Sequence, residues 1–89
     1  MTLREIALDC FADDMESVQQ VIEEMDYYGM QQNEKDVVEL LNMLLLEGKI
    51  YVSYPDDLNV QSLIGYEDIN DLWFELTEEG RKEWDAIVV

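Results

Sequence analysis

Along residues 33–50 the apolar positions Val37, Leu41 and Leu44 precede Gly48 at i, i+4, i+7 and i+11. That spacing lines one side of a helix and stops it at a glycine. A β-branched and aromatic run, IYVSY, follows at once. Upstream, Thr2 with Glu5 forms a capping box, and Leu3, Ile6, Ala7, Cys10 and Phe11 repeat at helical spacing, predicting a first helix over residues 2–12. Asp13 and Asp14 break that pattern and offer an N-cap for a second helix, whose stripe of Val18, Val21, Ile22, Met25 and Tyr28 ends at Gly29. The same residues also fit one long helix interrupted at Asp13. Residues 30–32 are a short connector, and Asn33 caps the third helix with Asp36 at the favourable third position.

The period then changes from helical to alternating. Ile50, Val52 and Tyr54 share one strand face and Tyr51 and Ser53 the other, until Pro55 ends the strand. Leu72, Phe74 and Leu76 alternate with Trp73, Glu75 and Thr77, which predicts a second strand over residues 71–77. The connection over residues 55–71 is long for a hairpin and carries Asp56, Asp57, Glu67, Asp68 and Asp71 without a basic residue. Connections beyond ~12 to 15 residues are usually functional or mobile. A helical turn is expected near residues 66–70. Thr77 caps a last helix over residues 78–87, whose Trp84 and Ile87 fold back on the first. Three helices thus precede any sheet in this reading.

That order resembles the winged-helix domain. A helix ending in Glu-Gly-Lys before IYVSY resembles the junction of third helix and wing, and WFELTEEGRKEW resembles the exit from the wing: an apolar strand, Leu-Thr, two polar residues, Gly and a basic residue. TLREIALDCFADD together with LWFELTEEG also resembles a family of small bacterial proteins without an assigned activity. The resemblance implies a single α+β domain over residues 1–89: three N-terminal helices, a two-stranded antiparallel wing hairpin with a long loop, and a short C-terminal helix. It also implies, in its DNA-binding members, a third helix in the major groove and a wing on the backbone or minor groove.

Charge turns that implication around. The net charge is −17, from 22 acidic and five basic residues. Phosphate binding is driven by Lys and Arg releasing counterions, so nucleic acid is disfavoured, and anionic membrane surfaces equally. The third helix presents Glu34, Asp36, Glu39 and Glu47 against Lys35 alone. Yet 48% of the residues are hydrophobic, far above an acidic disordered tail, so the charge sits on a folded body. A chain of this size buries roughly 60 to 65% of its unfolded surface. Residues 40–46, the leucine-rich run, are interrupted by Asn42 and fall far short of the ~20 apolar residues of a membrane span. With no signal-like opening, a cytoplasmic home is the expectation.

Catalytic chemistry has little to stand on. The chain has no histidine and one cysteine, which removes Ser-His and Cys-His pairs and most zinc sites. Cys10 reads as a buried structural thiol. The four glycines make no phosphate-cradling loop, and the adjacent acids Asp13–Asp14 and Asp56–Asp57 lack calcium-loop spacing. No catalytic, cofactor or metal residue is therefore assigned.

What exceeds a plain core is apolar surface. Leu40, Met43 and Leu46 lie off the Val37 stripe, and Tyr51 and Trp73 lie on the strand face opposite Val52 and Phe74, as a candidate cross-strand aromatic pair. Either the last helix or the long loop covers these five residues, or they form a protein interface, with another protein or as a homodimer. The leading expectation is a non-catalytic protein acting through protein contacts. The alternatives are a DNA-binding regulator using Lys35, Lys49, Arg81 and Lys82, and an acidic decoy that occupies another protein's DNA site.

Overall fold

A computed structural model describes residues 2–56, 60 and 62–87. Asp57, counted above among the acids of the long connection, lies outside the described residues. Among these described residues the architecture is α+β, with four α-helices and a three-stranded antiparallel sheet: α1 (Leu3–Asp13), β1 (Glu16–Ser17), α2 (Val18–Tyr27), α3 (Glu34–Leu46), β2 (Ile50–Tyr54), β3 (Trp73–Leu76) and α4 (Glu78–Ile87).

Local chemistry sets most boundaries. The Thr2–Glu5 capping box closes the start of α1, the hydroxyl accepting from the Glu5 N–H at 3.1 Å and the Thr2 N–H donating to the Glu5 carboxylate at 2.8 Å. Asn33 Oδ1 accepts from the Asp36 N–H at 2.8 Å and opens α3. Helices α2 and α3 end alike. Gly29 and Gly48 take φ of +77° and +73°, and the residue after each donates back to the helix, Met30 N to Met25 O and Lys49 N to Leu44 O, both at 2.9 Å. This is the Schellman arrangement, and it needs the left-handed conformation that glycine adopts without steric cost.

Three features depart from the sequence reading. The sheet has three strands, not two, and its first lies between α1 and α2, so only one helix precedes the sheet. Strand β1 pairs antiparallel with β3, Glu16 opposite Phe74 and Ser17 opposite Trp73, giving the order β1-β3-β2. Two residues are too few to show an alternation. Consequently α1 and α2 are separate helices, and Ser17, not Asp13 or Asp14, caps α2 through a capping box with Gln20.

The second departure is in the hairpin. The pairing runs Ile50–Leu76, Tyr51–Glu75 and Val52–Phe74, then shifts so that Tyr54 lies opposite Trp73. This bulge at Ser53 removes Tyr54 from the core face to which strict alternation assigns it. Tyr54 is 59% exposed. Strand β3 also covers only Trp73–Leu76 of the expected residues 71–77.

The third is the long connection. The expected helical turn is present, as a short 3-10 turn at Ile69–Asp71, but the connection is also anchored, with Leu63 and Ile69 buried in the core. Asn42, which breaks the leucine run of α3, is what fixes it: its side-chain oxygen accepts from the Leu63 N–H at 2.7 Å and from the Ser62 hydroxyl at 3.3 Å.

The core lies between the helices and the inner sheet face. Ile6, Leu8 and Phe11 of α1, Val18, Val21 and Met25 of α2, and Val37, Leu41 and Leu44 of α3 meet Ile50, Phe74 and Leu76. Thr77 caps α4, its hydroxyl accepting from the Gly80 N–H at 3.0 Å. Trp84 then reaches α1, donating from Nε1 to Asp9 Oδ1 at 3.0 Å. Among the described residues, no helix is long and apolar enough to cross a membrane.

Candidate functional site

The few cations are largely committed to the fold. Arg4 forks between two helices, with Nε 2.6 Å from Glu83 of α4 and a terminal nitrogen 2.7 Å from Glu47 at the end of α3. Lys49 lies 3.6 Å from Glu83, and Lys82 pairs with Glu79 at 3.3 Å and Glu78 at 3.9 Å along α4. Arg81 donates to the Ala12 carbonyl at 3.0 Å and stacks over Trp84, 5.8 Å from the ring centre. Of Lys35, Lys49, Arg81 and Lys82, the four residues considered for DNA, only Lys35 has no ion pair or hydrogen bond among the described residues.

The Arg4 cluster links electrostatics to stability. Its bond to Arg4 holds the Glu83 carboxyl below the usual range, and the same contact lowers Glu47. A carboxyl with a folded-state pKa below its unfolded value stabilises above the unfolded pKa and loses that contribution as pH falls through the folded one. Arg4→Met is therefore expected to lower stability at pH 7 by about 1 kcal/mol through the Arg4–Glu83 fork, a figure reduced for solvent screening. The gap between variant and parent should shrink once pH drops below ~4.5 and close at lower pH. Thermal melts from pH 2 to 7 check this; a gap that does not narrow as pH falls below ~4.5 contradicts it.

The five residues expected to form an interface fall on two surfaces. On α3, Met43 and Leu46 are 49% and 67% exposed, whereas Leu40 is half-buried against the core. On the sheet, Tyr51 is 44% exposed and Trp73 half-buried. They are not a directly opposed pair. Tyr51 faces Glu75, its hydroxyl donating to Oε2 at 3.3 Å, and Trp73 sits one step along the same face. Because opposed residues share a face, Tyr54 joins Trp73 on this outer side. Met15 joins them, its sulfur 3.9 Å from Ser53 Oγ across the back of β3.

Tyr54 and Met15 were not among the sequence candidates. Tyr54 was hidden by the bulge, and Met15 by the shortness of β1. The outer face thus carries Met15, Tyr51, Tyr54 and Trp73 around the Glu75 carboxylate.

No protein-family model, curated protein or solved structure matches the chain.

Two of the concavities among the described residues have Cys10 and Lys35 in their walls. One, of about 320 Å³ between α1 and α2, is lined by Asp9, Asp13, Glu16, Glu23 and Glu24, with Cys10 in its wall. The thiol is pushed up to about 12, first by burial and then by Glu24, Glu16 and Asp9. It is thus held as an unreactive thiol at neutral pH. Burial, then Asp14 and Glu24, also raises the Glu16 carboxyl. Among the described residues, no three His, Cys, Asp or Glu side chains converge to hold a metal ion. The other, of about 530 Å³, lies between the start of α3 and the β2–β3 connection, with Lys35, Val38, Ile64, Tyr66 and Glu67 on its walls.

Proposed function

We propose that this is a winged-helix-like protein that works through contacts with other protein, not through nucleic acid or catalysis. The element order α1-β1-α2-α3-β2-β3-α4 and the sheet order β1-β3-β2 support the winged-helix reading. In that arrangement α3 stands where a recognition helix would stand and the β2–β3 hairpin where a wing would.

The observation that carries the functional reading is the chemistry of those two elements. The solvent side of α3 bears Glu34, Asp36 and Glu39 against Lys35 alone, with exposed Met43 and Leu46, and the hairpin from Ile50 to Leu76 contains no Lys or Arg. A DNA reader needs cations at both places to anchor phosphates. Exposed apolar and aromatic groups ringed by charge are instead the anatomy of a protein interface. The partner is another protein or a second copy of the chain, in a cytoplasmic setting.

Titration with random-sequence duplex DNA tests this. No binding is expected even at ~50 mM salt, where a cationic reader binds non-specifically. Binding with a steep inverse salt dependence would overturn the reading in favour of a regulator.

A further inference from the structure

We propose that the outer face of the sheet docks an extended, arginine- or lysine-bearing segment of a partner protein, and not a second copy of this chain. The proposal rests on the protein-contact reading and names the class of partner.

Three observations converge on this occupant. The first is composition of the face: Tyr51, Tyr54 and Trp73 present aromatic surface, Met15 a polarisable sulfur, and Glu75 a carboxylate between them. Aromatic faces attract cations, Trp most strongly, and a neighbouring carboxylate adds an ion pair to the same guanidinium. The second is the absence of competition. No Lys or Arg occurs from Ile50 to Gly80, and the flanking Lys49 is engaged by Glu83. The third is the rim. Asp14 adjoins Met15, Asp56 follows Tyr54 by two residues and Asp71 precedes Trp73 by two, and all three are exposed.

The same charges argue against self-association through this face. A two-fold contact is self-complementary, so Glu75 and its rim would meet their own copies. At physiological ionic strength salt screens charges only beyond ~8 Å, so carboxylates brought into contact still repel. A basic segment neutralises what a second copy would double. The Tyr51 hydroxyl, protonated at neutral pH as any tyrosine is, donates to the Glu75 carboxylate at 3.3 Å.

The test uses a synthetic peptide in which arginine alternates with leucine, and its twin with citrulline for arginine, a neutral near-isostere. With the isotopically labelled full chain at physiological salt, the arginine peptide is expected to shift the amides of Tyr51, Ser53 and Glu75 and the Trp73 indole. The citrulline peptide, and the Tyr54→Ser and Glu75→Gln variants with the arginine peptide, should each bind about tenfold more weakly. Both substitutions are at solvent-facing side chains, and melting curves confirm that the variants remain folded.

No saturable binding of the arginine peptide at ~1 mM overturns the inference. So do shifts centred on Met43 and Leu46 or spread over every acidic segment, though these leave the protein-contact reading intact. A dimer by light scattering that Tyr54→Ser dissociates assigns the face to a second copy and likewise overturns it. Duplex DNA binding at low salt would instead sink the underlying reading.

Discussion

Gly80→Ala is expected to destabilise the protein by about 2–3 kcal/mol, although alanine is the better helix former by about 1 kcal/mol. Gly80 is buried in the first turn of α4, where a β-carbon would run into the Lys49 carbonyl, first at its oxygen and then at its carbon. A flexible side chain could swing aside, but this carbonyl cannot. It is already held by the Thr77 N–H at 3.0 Å, and the Thr77 hydroxyl donates to the neighbouring Gly48 carbonyl. The Leu76 side chain closes the space beside it at 3.2 Å. Relief therefore requires α4 to lift from the junction of α3 and β2, loosening the Trp84–Asp9 hydrogen bond and the Arg4–Glu83 pair at its far end. At 4–8 °C per kcal/mol for a domain of this size, a fall in Tm of about 10–20 °C should be seen by calorimetry. A rise in Tm would mean that helix propensity governs the site and that α4 does not sit this close.

The same glycine shows what the sequence conveys and what it withholds. In WFELTEEGRKEW it stands out only as part of a family-like phrase, and as a residue that weakens a helix. Its reason is tertiary, since it permits two backbones to touch. Where structure depends on neighbours in sequence it was legible: Thr2 with Glu5, Asn33 with Asp36, Gly29, Gly48 and Thr77 mark the helix ends through bonds that span three to five residues. Strand β1 has no such local signature. It exists because β3 offers an unpaired edge to Glu16 and Ser17. Asn42 read as an interruption of an apolar helix, and its role is to hold the Leu63 amide of a distant segment.

The candidate surface follows the same division. Met43, Leu46 and Tyr51 could be identified as outward-facing because helix and strand periods are regular up to those points. Tyr54 could not, because a single extra residue in β2 reverses every later side chain. Leu40 and Trp73, expected on the surface, are half-buried. Trp73 nevertheless stays on the face with Tyr54, so the aromatic surface is larger than the two residues found by alternation.

Phe74→Ala is expected to cost about 3–5 kcal/mol, a large part of the 5–15 kcal/mol by which small domains are stable. Phe74 is fully buried on the central strand and lies opposite Glu16 of β1 on one side and Val52 of β2 on the other. Its ring meets Phe11 of α1 edge-on, 6.1 Å between centres and 62° between planes. Truncation thus removes an aromatic contact and leaves a cavity where the sheet meets α1, a place that cannot close without moving one of them. Phe74→Leu, which keeps most of the volume, should cost markedly less, and urea denaturation should show the midpoint falling with an unchanged slope. Combining Phe74→Leu with Phe11→Leu should cost less than the sum of the two, because each removes the same edge-on contact. A Phe74→Ala cost below ~1 kcal/mol would contradict its place in the core. The consequence reaches the outer face, since Tyr51, Glu75 and Trp73 keep their register only while β3 is clamped between its neighbours. Amide exchange at Tyr51 and Glu75 should therefore quicken in Phe74→Ala beyond what global unfolding accounts for, whereas exchange within α2, held by its own ladder and by Val21 and Met25, should follow the global value.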